Sequence, residues 1–331
     1  MHPALSHILS QSKAVEFLTR ALAADRLPHG LVFAGPAGVG KASVAFALAK
    51  IFLADRPDDP ESIDRVAPLI DARTHPDFHY VVKEQVRDLE GKGKSKAVDF
   101  AADLVRERII APAGRKAVLG RGKVFIVEEA DAMNMTAQNS LLKTLEEPAG
   151  RTLIMLLTES PGGLLPTIRS RCQLVRFGPV SEPDAVAILK KRGVDANVAA
   201  SAVRLADGSP GVALRWHEDG VVARAPDLIR ILDEGTGDLA AWFKAASDAY
   251  AERQLERDKL ASEDAMRRNG VAVYLRIAAD HMRKRLAESD DDAERDALIE
   301  RIEATREAES LVDGNVNVAL VLQSVGMKLG R

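Results

Sequence analysis

The sequence predicts an α/β domain with a mainly parallel sheet in its first half and an all-helical second half. Three observations carry this. Short apolar runs alternate with helix-patterned segments as far as about residue 178, a glycine-rich loop "GPAGVGK" stands between one such run and the next helix, and nothing strand-like follows "SEPDAVAILKKRG".

Taken in order, "SQSKAVEFLTRALAADRLPHG" places Ala14, Phe17, Leu18 and Leu22 at helical spacing and breaks at Pro28 and Gly30, a first helix. "LVFAG" is a short apolar strand, and "KASVAFALAKIFLA" after the glycine-rich loop is a helix. Residues 55–98 read as loop and short helix with one strand at "FHYVV", and "VDFAADLVRERI" as a helix. "KVFIVEEA" and "TLIMLLTE" are buried parallel strands, separated by the helix "TAQNSLLKTLEE", which Pro148 stops; "QLVRF" is a last short strand. Two helical groups follow, one to about residue 216 and a longer one from about 225, with "ESDDDAERD" as a helix junction.

Composition narrows the function classes. With 331 residues the chain holds two or three domains, and 46% hydrophobic and 29% charged residues give the balance of a soluble globular protein. Lysine plus arginine number 46 against 49 acids, net −3, so the whole chain is not a strongly basic nucleic-acid binder. The single cysteine excludes an internal disulfide and a multi-cysteine zinc site, and no apolar stretch spans a bilayer; the expectation is a cytoplasmic protein.

Gly35, followed after four intervening residues by Gly40-Lys41, lies after a strand and before a helix, the context that makes a phosphate-binding loop specific. Glycines such as Gly35, Gly38 and Gly40 let backbone N–H groups turn inward, the helix start adds a favourable dipole, and Lys41 supplies a point charge for the β- and γ-phosphates. Where a Mg²⁺-holding hydroxyl is expected, Ala42 stands. Ser43 comes one residue later, rotated about 100° around the helix, and is a poor substitute. ATP or ADP at a degenerate loop is therefore the expectation, with efficient hydrolysis in doubt.

At the end of "VFIV", Glu128, with Glu129 and Asp131 behind it, occupies the place of the acid that holds the metal through water; an acid-rich helix start would look the same. In "LLPTIRSRCQLVRF", Arg169 and Arg171 lie two apart and cannot share a helix face, so one can project outward. An outward arginine of this kind can reach a neighbour's γ-phosphate, an effect of roughly 10³ to 10⁵ in rate.

Together with the loop upstream, "NSLLKTLEEPAGRTLIMLLTESPGGLLPTIRSRCQ" resembles the AAA+ clamp-loader subunits of bacterial DNA polymerase III, and the delta-prime branch more than the gamma/tau motor branch. The likeness runs over nearly the whole chain, strongly over 28–178. It implies a RecA-like AAA+ P-loop domain (1–178), a small helical lid (179–220) and a helical collar (221–331) that joins a five-subunit ring with gamma/tau and delta subunits. It also implies Arg171 of the Ser170-Arg171-Cys172 motif as the arginine completing an ATP site on the adjacent gamma/tau subunit, Thr158 as a strand-end sensor and Arg215 in "GSPGVALRW" as a lid sensor. The sliding clamp and primer-template DNA would be met through the assembly.

Two features depart from the family. Many delta-prime chains carry a four-cysteine zinc module in the region matching 55–75, which one cysteine cannot supply; His75, Asp77 and His79 read as a loop entering a strand rather than as ligands. The other is Ala42 with Glu128, in keeping with a weak or silent site. The basic stretch 83–123, with Lys92, Lys94, Lys96, Arg115, Lys116, Arg121 and Lys123, has few aromatics and reads as a solvated loop. The competing reading is a self-sufficient AAA+ ATPase, gamma-like or helicase-like; a small-molecule kinase finds no acceptor site in the helical half.

Overall fold

A computed structural model describes residues 2–85, 102–257, 262–314 and 316–329. The chain divides into two compact units, residues 1–188 with 207–211, and residues 189–206 with 212–331.

The first unit is a three-layer α/β fold. Its strands are β1 (Gly30–Ala34), β2 (Phe78–Val81), β3 (Lys123–Val127), β4 (Thr152–Thr158) and β5 (Gln173–Arg176). They form one sheet in the order β2-β3-β4-β1-β5, every neighbouring pair parallel. β1, β3 and β4 are buried along their whole length, as expected of strands covered by helices on both faces. Because the pairs are in register, with Ala34 opposite Thr158 and Val127 opposite Leu156, the C-terminal ends of β1, β3 and β4 share one edge of the sheet. Ligands of open α/β sheets bind along that edge.

Helices α1 (Ser12–Ala23), α2 (Lys41–Leu53) and α3 (Pro60–Asp71) precede β2. The three-turn α3 is longer than the short helix expected in 55–98. Asp59 caps it by accepting the Glu61 N–H at 3.3 Å, and Ile63 and Ile70 are buried, while Pro68 within it hides the helical pattern. Before β3, a helical run α4 comprises Ala102–Val105, a π-helical turn at Arg106–Ile110, and Ala111–Ala113. Pro112 has no N–H to return along the helix, which accounts for a widened turn just ahead of it. The expected helix "VDFAADLVRERI" thus exists from Ala102 onward, its first residues lying outside those described. Helices α5 (Met135–Glu146) and α6 (Pro166–Arg169) complete this layer, followed by α7 (Glu182–Lys191).

In the second unit the described residues form helices only. Its main members are α8 (Ala196–Leu205), α10 (Val221–Glu234), α11 (Leu239–Arg257), α12 (Glu263–Glu288), α13 (Asp292–Asp313) and α14 (Val318–Leu329), with α9 (Pro210–Glu218) beginning in the 207–211 segment. Phe243, Tyr274 and Leu275 lie in its core, where Trp242 meets Tyr274 edge-on at 5.1 Å. Arg301 caps two helix ends at once, donating to Leu232 O at 3.1 Å and Leu329 O at 2.8 Å. Burial lowers its pKa. Among the described residues no helix is long and apolar enough to cross a membrane.

Candidate functional site

The glycine-rich loop leaves β1 at the shared C-terminal edge and ends at α2, as the sequence requires of a phosphate cradle. Gly38 and Gly40 take φ of +67° and +103°, which other residues adopt only with strain. What shapes the loop is the fate of its carbonyls. Ala37 O accepts the Ser209 hydroxyl at 2.6 Å, Gly38 O accepts the Gly211 N–H at 2.9 Å, and Val39 O accepts the buried Gln11 side-chain amide at 3.3 Å. Three successive carbonyls are thus satisfied from outside the loop, leaving the opposite side of the peptide units to a bound anion. Gln11 is itself fixed by a two-way bond to Gly178, donating to its carbonyl at 2.8 Å and accepting its N–H at 3.1 Å.

Lys41 opens α2 and is 9% exposed. Its ammonium donates to Gly35 O at 2.6 Å and Pro36 O at 2.7 Å, bridging the start of the loop. Burial lowers its pKa, and the carboxylates Glu159, Asp131 and Glu128 oppose that shift. The loop and lysine fit a phosphate group. The metal side is incomplete: Ala42 offers no hydroxyl, and Ser43 points to solvent.

Glu128 follows the last residue of β3, half-buried, its N–H donated to Val81 O at 3.0 Å. It is the carboxylate that would hold a cation here. Glu129 takes φ +46° and is turned to an ion pair with Lys83, while Asp131 accepts the Ser160 N–H at 3.4 Å. Thr158, the last residue of β4, is buried; its carbonyl accepts Gly35 N–H at 3.2 Å and its hydroxyl accepts the Ser160 N–H at 3.0 Å. The structure therefore brings Gly35, Gly38, Gly40, Lys41, Glu128 and Thr158 to one edge of the first unit. Arg215 is exposed on α9 in the second unit, among residues that include Tyr250.

Arg171 follows α6, away from the loop in sequence but on the same unit. Its Nε donates to Glu146 Oε1 at 2.7 Å, NH2 meets the same oxygen, and NH1 donates to Thr167 O at 2.9 Å. The neighbouring Cys172 packs against β1, its Sγ 3.0 Å from where a Cβ on Gly30 would stand. Burial pushes its thiol up to about 12, so the motif cysteine is a packing residue and not a nucleophile.

Several residues took other roles than their sequence patterns suggested, or were not visible there. Lys123, grouped with the solvated basic stretch, is 3% exposed and donates to the carbonyls of Pro112, Ala113 and Arg115; it fastens a loop and does not face phosphates. Arg115, Lys116 and Arg121 are exposed, whereas Lys92, Lys94 and Lys96 lie outside the described residues. Asp77 accepts Val118 N–H at 2.7 Å and Leu119 N–H at 2.8 Å, His75 Nδ1 accepts the Asp77 N–H at 3.1 Å, and His79 stacks on Phe125. Gln11, Ser209 and Gly211 were missed as supports of the loop; only the turn residues of "GSPG" hinted at the latter two.

A parallel sheet in this strand order, with a phosphate loop after β1, an acid after β3 and a polar residue ending β4, defines a P-loop module of the AAA+ kind. Residues 10–181 match the family model described as DNA polymerase III, delta subunit, and the chain belongs to that family. It is 36% identical over 200 residues to DNA polymerase III subunit delta' of Pseudomonas aeruginosa, a match covering 58% of this chain and 57% of that one. The subunit delta' of Escherichia coli is 35% identical over 202 residues, covering 60% and 57%. Mouse replication factor C subunit 5 is 28% identical over 178 residues, covering 54% and 44%. The chain thus spans little more than half the length of the delta' relatives it matches.

Proposed function

We propose that the chain is a delta-prime-like clamp-loader subunit that donates an arginine to a neighbour's ATP site and drives little or no hydrolysis at its own. The observation that carries the reading is the pairing of Ala42, which leaves the metal side of its own loop without a hydroxyl, with Arg171 on the surface of the same unit. In this reading gamma/tau and delta subunits complete a five-membered ring, and residues 179–220 and 221–331 supply the lid and the collar. ATP on the neighbours closes the ring on primer-template DNA and opens the sliding clamp. Arg171 then stabilises charge developing on the neighbour's transferred phosphoryl group. ATP or ADP held by Gly35, Gly38, Gly40 and Lys41, with Thr158 reading its phosphates, has a structural role.

The test is ATP hydrolysis by the purified chain alone, and then in mixture with a motor subunit and a delta-type subunit. No turnover alone, with a partner-dependent rate that Arg171→Ala lowers at least about tenfold, is the expected result. Robust turnover by the isolated chain, abolished by Lys41→Ala, would instead make it a motor in its own right.

A further inference from the structure

Arg171 does not extend freely from the surface. It lies just past α6, and NH1 bonds to Thr167 O, four residues back, so the side chain folds along its own helix. Nε and NH2 both engage one oxygen of Glu146, the last residue of α5, and every guanidinium nitrogen has a partner inside the unit. Arg169, two residues earlier, is exposed and has no ion pair among the described residues. Glu147, next to Glu146, is exposed and has no contact with Arg171 among those described.

We infer that Glu146 stows Arg171 and competes with a neighbour's phosphate for it. This rests on the reading of Arg171 as a donated arginine. A carboxylate on the Nε/NH2 edge occupies one of the two forks with which a guanidinium grips a phosphate, and cancels much of its charge. The arginine acts only in the fraction of assemblies where Glu146 has let go, and the observed rate scales with that fraction. The side chains of Arg171 and Glu146 are 34% and 46% exposed, so the hold is that of a surface ion pair, about a two- to fivefold bias. It is weak enough for a properly seated neighbour to overcome and strong enough to discourage contact with a stray phosphate.

The experiment uses the full chain assembled with its motor and delta-type partners, followed by steady-state ATP hydrolysis. Glu146→Gln is expected to raise kcat about two- to fivefold at low salt with KM for ATP unchanged, since the arginine acts in the transition state. The gain shrinks as salt rises, because an exposed pair is screened. Glu146→Asp, one methylene shorter, falls between the two, and Glu147→Gln, with the same charge change one residue away, leaves the rate alone. In an Arg171→Ala background Glu146→Gln has no effect. If Arg171→Ala fails to lower the rate, the donated-arginine reading falls and this inference with it. If Arg171→Ala lowers the rate but Glu146→Gln leaves it unchanged, lowers it, or raises it equally without Arg171, the stowing inference alone is overturned.

Discussion

Gly211→Ala tests whether the phosphate loop is held in shape from outside. Gly211 has no left-handed backbone, so alanine there brings no strain of its own and would gain up to about 1 kcal/mol as a better helix former at the start of α9. Against that gain, its Cβ would stand 2.7 Å from Gly38 Cα and 2.9 Å from Gly38 O. Both are backbone atoms of the loop and cannot swing aside. Overpacking of this kind costs about 1–3 kcal/mol, and forcing the segments apart also sacrifices the Gly211 N–H to Gly38 O bond, roughly another 0.5–1.5 kcal/mol. The balance is a loss of about 0.5–4.5 kcal/mol, felt at residues 35–41 first. Neither tryptophan, Trp216 nor Trp242, lies in the first unit, so intrinsic fluorescence does not report directly on residues 35–41. Urea denaturation by circular dichroism, with amide exchange of peptides covering the loop, is the suitable assay. Gly114→Ala is the control: its Cβ meets nothing closer than 3.6 Å, and stability should stay within about 0.5 kcal/mol. A Gly211→Ala chain as stable as wild type, with loop exchange unchanged, would refute the reasoning.

Other outcomes follow from the same structure. Asp77→Ala removes the acceptor of the Val118 and Leu119 N–H groups and should cost about 2–4 kcal/mol in urea denaturation, with faster exchange of those two amides. Cys172, with its thiol pushed up to about 12, should react with a thiol reagent near pH 8 at least about 100-fold more slowly in the folded chain than in urea. For Asp233, burial alone would raise the carboxyl, but the hydrogen bonds and charges of His281 and Arg285 outweigh it and hold its pKa below the ordinary value. A depressed carboxyl contributes stability above its unfolded value, lost as pH falls through the folded one, so a stability gap between wild type and Asp233→Asn at about pH 6 should close by about pH 2. The test is a pair of denaturation series across that range.

Strands β1, β3 and β4 were legible as mainly apolar runs bounded by turn residues, and the phosphate loop because its glycines and lysine fall within the seven residues 35–41. Ala42 and Glu128 could be placed by counting from the glycine-rich loop and from β3, and Thr158 from the family resemblance. Residues that act at long range were not legible. Gln11 supports a loop near residue 39 and also binds Gly178, and the partner of Arg171 lies on another helix, 25 residues earlier. Lys123 resembled its solvated neighbours, since nothing local marks that its ammonium turns under the loop onto three carbonyls. Helix α3 lies in a stretch rich in Pro, Asp, Lys and Gly that reads as loop and short helix, although Ile63 and Ile70 keep one buried face.

The three anchors of the phosphate loop come from position 11 and positions 209 and 211, on either side of the whole sheet-forming sequence. A fragment cut after the last strand would carry every residue of the motif and lose two of the fastenings that give it shape. Grafting "GPAGVGK" with β1 and α2 into another scaffold would likewise move the letters without their form. For this chain the first unit is discontinuous in sequence, and the smallest continuous piece that keeps all three fastenings of the loop must run at least to Gly211.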